Sequence, residues 1–282
     1  MRDVLLLTAP TLPRDDVDMP LIVDALAARG VRGLVRGWTE TGPVPAGVEL
    51  AVIRSTWDYA ARRTEFLDAM GALAEDIPLH NPVPVLAWNS HKGYLVELAA
   101  AGVPVVPSVL VVRGGRTLPD LGAERIVVKP AVSAGAVGVG LFPAGSAEAA
   151  THLAALTATG DALVQPFQES VREGERSLLF FDGELSHAVR KIPAPTDFRV
   201  QEQHGGRNEA VQASPADLDV ARRALAVAPA DLLYARVDLV GPTDAPLVME
   251  LELIEPGLFL PEGPGSAERF ADAIVGRLPA AG

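Results

Sequence analysis

The sequence predicts an α/β unit over residues 1–85 followed by a larger α+β unit over residues 86–282. Three observations lead there. In the first stretch, continuous apolar runs (VLLLTA at 4–9, ELAVIRS at 49–55) alternate with helix-period segments, as buried parallel strands and their crossover helices do. Further along, β-rich runs are joined by tight-turn dipeptides, the mark of antiparallel hairpins. The length of 282 residues also exceeds one domain at about 150 residues each.

Taken in order, MPLIVDALAARG after the acidic loop of Asp15, Asp16 and Asp18 reads as a helix closed by Gly30. RRTEFLDAMGALAE is an amphipathic helix, and IPLHN returns as a strand. In the second unit, Asn89 or Ser90 is expected to cap a helix running to Gly102, and VPVVPSVLVV to be extended. RIVVKP (125–130) is a strand entering the small-residue loop AVSAGAVGVG. Ser146 caps the next helix, and ALVQPF is a short strand. Asp182-Gly183 joins two β-rich runs as a hairpin turn. SPADLDVARRALAVA is a capped helix, LYARVDLV and LVMELELI form a second hairpin around GPTDAP, and SAERFADAIVGRL closes the chain as a helix.

Composition narrows the function. Hydrophobic residues make up 49%, enough for a sizeable core rather than a disordered chain. The net charge of -12 argues against nucleic acid as the main partner, which needs clustered Lys and Arg. The absence of cysteine excludes disulfides, thiolate catalysis and Cys-ligated zinc. MRDVLLLTAP lacks the long apolar run of a signal peptide, and VPVVPSVLVV, broken by Pro104 and Pro107, is too short to span a membrane, so a cytoplasmic protein with no membrane partner is expected.

The second hairpin holds the sharpest signal. If it is symmetric about Asp244, Asp238 stands opposite Glu250 and Arg236 opposite Glu252, all four on one face because side chains alternate along a strand. Opposed carboxylates repel, and a divalent cation between them removes the conflict. The plainer alternative is a solvated acidic face. Lys129 ends an apolar strand beside the loop of Gly135, Gly138 and Gly140, a fair place for a phosphate clamp, although no G-x-x-x-x-G-K-[ST] motif occurs. Lys92, on the first turn of the expected helix, reads on its own as a surface lysine. Gln165, Pro166 and Phe167 follow a buried strand and offer either an adenine hinge or an ordinary strand end. Pairing about Asp182-Gly183 sets Glu175 opposite Arg190, and Lys191, Arg199 and Arg207 form a basic cluster that fits an anion.

In order and spacing, the segments around Lys92, VVKP with its glycine loop, LVQPF, GERSLLFFDGE, FRVQEQHGGR and YARVDLV…MELELIEP resemble the ATP-grasp superfamily over about residues 85–275. The first unit resembles the pre-ATP-grasp domain. IRSTWDYAARRTEF, WNSHKGYL and ELELIEPGLFL further resemble the branch of actinobacterial ligases that close O-ureido-serine to cycloserine. The resemblance implies ATP and, in all, two magnesium ions. Lys92 and Lys129 would contact the phosphates, with the loop from Ser133 through Gly135 and Gly138 to Gly140 closing over them. Gln165, Pro166 and Phe167 would line the adenine, and Glu175 would take the ribose. Lys191 and Arg199 would hold the γ-phosphate and the acyl phosphate, and Arg236 would stabilise charge on the attacked carbonyl. Asp238, Glu250 and Glu252 would bind metal. Glu-x-Glu stands here where the superfamily usually has Glu-x-Asn.

Such chemistry activates a carboxylate as a phosphate ester, which a nitrogen then attacks, and needs no side-chain nucleophile. The substrate, a small amino-acid derivative, is expected between the units, at the end of strand ELAVIRS. There Arg54 fits a carboxylate bidentately, with Ser55, Thr56, Asp58 and Tyr59 as polar contacts, unless Trp57 plugs the core and the loop is structural. His187 reads as structural, while His91 and His204 sit inside motif segments. The alternatives to ring closure are a dipeptide or γ-glutamyl-type ligase and a nucleotide-binding regulator without turnover. Homodimers are common in the superfamily.

Overall fold

A computed structural model describes residues 2–195, 199–200 and 205–280. The first unit is a parallel sheet in the order β2-β1-β3-β4, formed by β1 (Arg2–Thr8), β2 (Val31–Gly37), β3 (Val48–Ile53) and β4 (Leu79–His80). The interiors of β1 and β3 are buried, as continuous apolar runs require. The sequence reading passed over β2: VRGLVRG alternates Arg and Gly with apolar residues, and pairing with β1 rather than its own propensity makes it a strand.

Helix α1 (Asp18–Ala27) is capped by the Asp16 carboxylate, whose Oδ1 accepts from the amides of Asp18 and Met19 at 3.1 and 3.2 Å. Gly30 ends it with φ +72°. Helix α2 (Arg63–Asp76) covers the other side of the sheet, where Phe66 and Met70 meet Leu5, Ile53 and Trp38.

Next come α3 (Val83–Asn89) and α4 (Tyr94–Ala100), separated by a tight turn. The expected helix running to Gly102 forms as α4, but it starts at Tyr94 rather than after a cap at Asn89 or Ser90, and Lys92 lies in the turn between α3 and α4. The Asn89 side chain is used elsewhere, as described below. A four-stranded antiparallel sheet follows in the order β5-β8-β6-β7, with β5 (Val109–Val111), β6 (Arg125–Pro130), β7 (Gly140–Pro143) and β8 (Ala162–Pro166). Only three residues of VPVVPSVLVV pair in that sheet. Helix α5 (Ala147–Thr157) packs on it, and Ser146 caps that helix by accepting from the Ala149 amide.

The largest sheet is antiparallel, in the order β11-β10-β9-β12-β13. It comprises β9 (Glu175–Phe181), β10 (Glu184–Ile192), β11 (Arg207–Val211), β12 (Tyr234–Val240) and β13 (Leu247–Glu252). Asp182 and Gly183 take φ +48° and +82° in the first hairpin turn, as a two-residue turn with both central residues left-handed demands. Helix α6 (Pro215–Leu225) carries a capping box between Ser214 and Asp217. Helix α7 (Ser266–Gly276) packs against α1, so Phe270 and Ile274 share a core with Val4, Leu6 and Ile22 of the first unit.

Among the described residues, no helix is long and apolar enough to cross a membrane.

Candidate active site

The register of the second hairpin fixes the site. Arg236 pairs with Glu252 and Asp238 with Glu250, as a hairpin centred on Asp244 predicts; the turn-side pairs Leu239–Val248 and Val240–Leu247 are one residue out of that register, and the bulge between Asp238 and Leu239 produces it. β13 is an edge strand, and side chains from earlier in the chain cover its free edge. Asn89 Nδ2 donates to Leu251 O at 2.8 Å and Asn89 Oδ1 accepts from the Leu253 amide at 2.9 Å. Tyr94 Oη accepts from the Leu251 amide. Asn81, fully buried, donates to Tyr234 O and Leu253 O and accepts from the Leu233 amide. Three buried polar side chains therefore hold the strand whose alternate residues are Glu250 and Glu252.

The expected pairing in the first hairpin needs correction. A bulge between Leu185 and His187 shifts the register by one, so Glu175 faces Lys191 and Arg190 faces Arg176. Lys191 then enters the site, with Nζ 3.0 Å from Glu175 and 2.7 Å from Asp238. Arg190 instead pairs with Glu209. Gly174, φ +109°, precedes Glu175; a Cβ there would lie 3.0 Å from Lys191 O and 2.8 Å from Arg190 Cγ, so glycine is needed for the strands to approach.

The carboxylates divide sharply. Asp238 Oδ1 accepts from Ser177 Oγ at 2.6 Å and Arg236 Nε at 3.0 Å, and its Oδ2 accepts from Lys191 and from Arg236 Nη2. Burial disfavours its charge, but Arg236 and Lys191 overcome that and hold its pKa below the usual carboxylate range. Glu250 lies 2.9 Å from Lys92 Nζ, and its pKa is also lowered, against burial, by Lys92 and Lys129. Glu252 pairs with Arg236 alone, and burial, helped by the Asp238 and Glu250 charges, pushes it up to about 7. Glu255 is pushed up to about 8, mainly by burial and then by Glu252.

The opposed acids are thus relieved in this structure by side-chain cations. Among the described residues no three carboxylates or imidazoles converge on one point. Asp238 has both oxygens filled, whereas the Glu250 and Glu252 side chains keep 27% and 29% of their surface open to the cleft. Those two offer the hard oxygen ligands that magnesium prefers.

Lys92 also donates to Ser133 O at 2.8 Å, tying the glycine loop to β13, and its own amide donates to Ala131 O. Lys129 is 7% exposed. Burial lowers its pKa, and among the described residues no carboxylate lies within ion-pair distance of it. A buried lysine facing a cavity without a paired acid calls for an anionic ligand. The loop carries Gly135, Ala136 and Gly138 at φ +60°, +61° and +75°, so even its alanine is left-handed.

These groups line one cleft of about 480 Å³ between the sheets. Lys92, Lys129, Ser133, Gly135, Gln165, Pro166, Phe167, Glu175, Lys191, Arg199, Arg236, Asp238, Glu250 and Glu252 all face it. Gly138 does not line it; its carbonyl accepts from His152 and it packs on Pro130. Gln165 Nε2 donates to Ser108 Oγ, and the Phe167 ring lies 4.4 Å from the Arg125 guanidinium carbon.

Of the five residues expected to contact substrate, only Tyr59 lines the cleft. Arg54 is 2% exposed, with Nη2 donating to Pro256 O and stacking contacts to Tyr234 and Phe270. Its Nη2 also lies 3.9 Å from Asp18 Oδ2, and among the described residues its Nε and Nη1 are buried without a hydrogen-bond partner. Ser55 bonds Thr8, Thr56 is fully buried, and Asp58 accepts from Trp38 Nε1 and pairs with Arg62.

The sequence reading passed over Arg14, Glu255 and Phe259, which do line the cleft, as does Trp57. Only Glu255 carried a hint, as a further acid one turn of chain beyond ELE. His187 donates to Leu258 O and Phe259 O, a structural role, and His91 meets Asp161 outside the cleft. His204 and the rest of 201–204 lie outside the described residues.

Residues 4–81 match the family model of the D-cycloserine synthetase DcsG N-terminal domain, and residues 103–256 match that of the prokaryotic glutathione synthetase ATP-grasp domain. The chain is 36% identical to the cycloserine biosynthesis protein DcsG of Streptomyces lavendulae, covering 97% of this chain and 98% of that one. It is 26% identical to a glutathione synthetase of Prochlorococcus marinus (strain MIT 9313) over 90% and 83% of the two chains. The crystal structure of D-cycloserine synthetase DcsG superposes with a TM-score of 0.88 at 33% identity, covering 98% of this chain and 100% of that one. The D-alanine–D-alanine ligase of Bacillus anthracis shares the fold alone, with a TM-score of 0.74 at 15% identity over 98% and 97%. The chain belongs to the ATP-grasp ligases, ADP-forming enzymes that join carbon to nitrogen, and within them to the family of DcsG.

Proposed function

We propose that this ligase activates the carboxylate of a small amino-acid derivative with ATP and closes it on a nitrogen of the same molecule, as in the making of cycloserine. The observation that carries the reading is the charge pattern of the cleft: Lys129 lacks a paired acid among the described residues, while Lys92, Lys191 and Arg236 face the same space. A triphosphate supplies the missing anion, and its transfer needs charge neutralised along the path of the γ-phosphoryl group.

Each residue has a task in this reading. Lys92 and Lys129 grip phosphate oxygens below the Ser133–Gly138 loop. Gln165, Pro166 and Phe167 bound the base, and Glu175 lies towards the ribose. Lys191 and Arg199 hold the transferred phosphoryl, which leaves ADP and becomes an acyl phosphate on the substrate. Arg236 donates to the carbonyl oxygen as the nitrogen attacks and phosphate departs; where that nitrogen carries a carbamoyl group, water cleaves the N–C bond and the group leaves as carbamic acid, which breaks down to carbon dioxide and ammonia. Glu250 and Glu252 would hold magnesium, two ions in all, with Asp238 anchoring Arg236 and Lys191 beside them. Bound magnesium would supply Lewis-acid neutralisation of the phosphate charge.

The match of residues 103–256 to glutathione synthetase supports a second reading, in which a separate amine substrate attacks. Release of ADP with O-ureido-serine and no added amine supports ring closure; strict dependence on a second amine sinks it. Glu250→Gln should retain its melting transition and circular dichroism while magnesium-dependent ADP release falls at least about a hundredfold. Unchanged turnover would remove Glu250 from the metal site.

A further inference from the structure

The substrate needs polar contacts beyond the phosphate lysines, and Arg54, the residue best suited by sequence, is enclosed and does not line the cleft. A different arginine does line it. Arg14 lies in the loop between β1 and α1, is exposed, and lines the cleft. Its guanidinium carbon sits 4.3 Å from the centre of the Trp57 ring. Trp57 lines the same cleft and is itself fixed, its Nε1 donating to Glu255 O at 3.1 Å.

Among the described residues, the Arg14 guanidinium makes no hydrogen bond and no ion pair. Asp15 and Asp16 follow it directly, yet neither pairs with it, and the Asp16 carboxylate caps α1 instead. Contact with the ring holds the guanidinium over Trp57 while several of its N–H donors stay free at a defined place. Arginine is suited to this because a planar fork on an aromatic face loses little freedom when it engages an acceptor.

We propose that Arg14 is a specificity-determining residue. Held on Trp57, it donates to an oxygen acceptor on the substrate's tail, remote from the carboxylate that is activated next to Arg236. A carbamoyl oxygen of a ureido group is an acceptor of this kind. The assignment rests on the ring-closure reading given above. It separates two contacts with the substrate: Arg236 serves the reacting carbon, and Arg14 selects the tail.

The test compares ADP release from O-ureido-D-serine and from O-amino-D-serine, which keeps the carboxylate and the amine but lacks the carbamoyl oxygen. In Arg14→Ala the KM for the ureido compound should rise about tenfold or more. The KM for ATP, and the KM for the amino compound, should stay within about twofold, so the variant loses the discrimination that the parent enzyme shows. Arg14→Lys should lose nearly as much, because a flexible ammonium replaces the stacked fork. An unchanged KM for the ureido compound in Arg14→Ala overturns the proposal, and so does an equal rise for both compounds. Failure of the parent enzyme to release ADP with either compound overturns the ring-closure reading itself and the Arg14 assignment with it.

Discussion

Two hairpins lie side by side in the central sheet, β9 against β12; each carries a bulge on its second strand, two pairs out from the turn, and they differ in what the shifted register brings into the cleft. In β12/β13 the pairs next to the turn, Val240–Leu247 and Leu239–Val248, would set Met249 opposite Asp238, and the bulge beyond them brings Glu250 opposite Asp238 and Glu252 opposite Arg236 instead. In β9/β10 it lies between Leu185 and His187, and Glu175 is consequently paired one residue away from where the turn would put it. Because successive side chains point to opposite faces, that one residue decides which of two adjacent cations enters the site. Lys191 enters and meets Asp238, while Arg190 leaves for Glu209. A bulge between a turn and the residues beyond it therefore chooses which side chain faces the cleft.

The strongest way to break this comparison is to remove the cation that the bulge selects. Lys191→Met keeps the length of the side chain and deletes its charge, leaving Glu175 without this cation and Asp238 with Arg236 alone. Loss of one member of such a buried network should cost about 2–3 kcal/mol, since Arg236 remains to pair Asp238. ADP release should fall about 10²–10³-fold, the scale of removing one donor to a developing charge. Denaturant unfolding and steady-state ADP release measure the two effects separately. Wild-type turnover in this variant would mean that Lys191 serves the fold and not the reaction.

A smaller effect sharpens the contrast within β12/β13, between the clamped Asp238 and the acids beyond it. Glu252 and Glu255 are raised from an ordinary value of 4.5 to about 7 and about 8. An acid raised in the folded state stabilises it fully below its unfolded pKa, and that contribution is lost as pH rises through the folded value. Asp238 has the opposite sign: its contribution is present above the usual carboxylate range and is lost in acid, as pH falls through its depressed folded pKa. In EDTA and without nucleotide, the melting temperature should therefore fall as pH is raised from about 5 to about 8.5. Glu252→Gln should flatten part of that slope. An equally steep slope in this variant would show that Glu252 is already ionised. The position is the one where the superfamily usually has Asn.

What was legible in the sequence follows the same division. The shared face of Arg236, Asp238, Glu250 and Glu252 could be read from strand periodicity with the hairpin centred on Asp244, although a bulge and not the turn itself sets that register. The α/β alternation of the first unit was legible in VLLLTA and ELAVIRS, since a doubly covered strand must be apolar throughout. β2 was not, because VRGLVRG owes its conformation to pairing with β1. Nor was the place of Lys92, which depends on Asn89 being drawn away to bond β13. Exposure was the least legible property of all. Arg54 and Arg14 are both arginines near strand ends of one sheet, and only tertiary packing encloses the first under Tyr234 and Phe270 and leaves the second on Trp57.

The smallest expected effect completes the test of the two hairpins. Arg190 neighbours Lys191 in sequence, has the same charge and also pairs with a carboxylate, Glu209. Its side chain is 43% exposed, so solvent screens the pair and the ordering of a long side chain offsets much of its attraction. Its loss leaves no buried charge uncompensated, because Glu209 keeps Arg207 within 3.3 Å and faces water. Arg190→Ala should leave ADP release unchanged and move the melting temperature by no more than about 2 °C. If the bulge selects Lys191 for the site, the two adjacent substitutions must differ in turnover by nearly the whole effect of the Lys191 change. Should Arg190→Ala lower turnover as Lys191→Met does, both cations would contribute to the cleft, and the face on which a side chain emerges would not be what separates them.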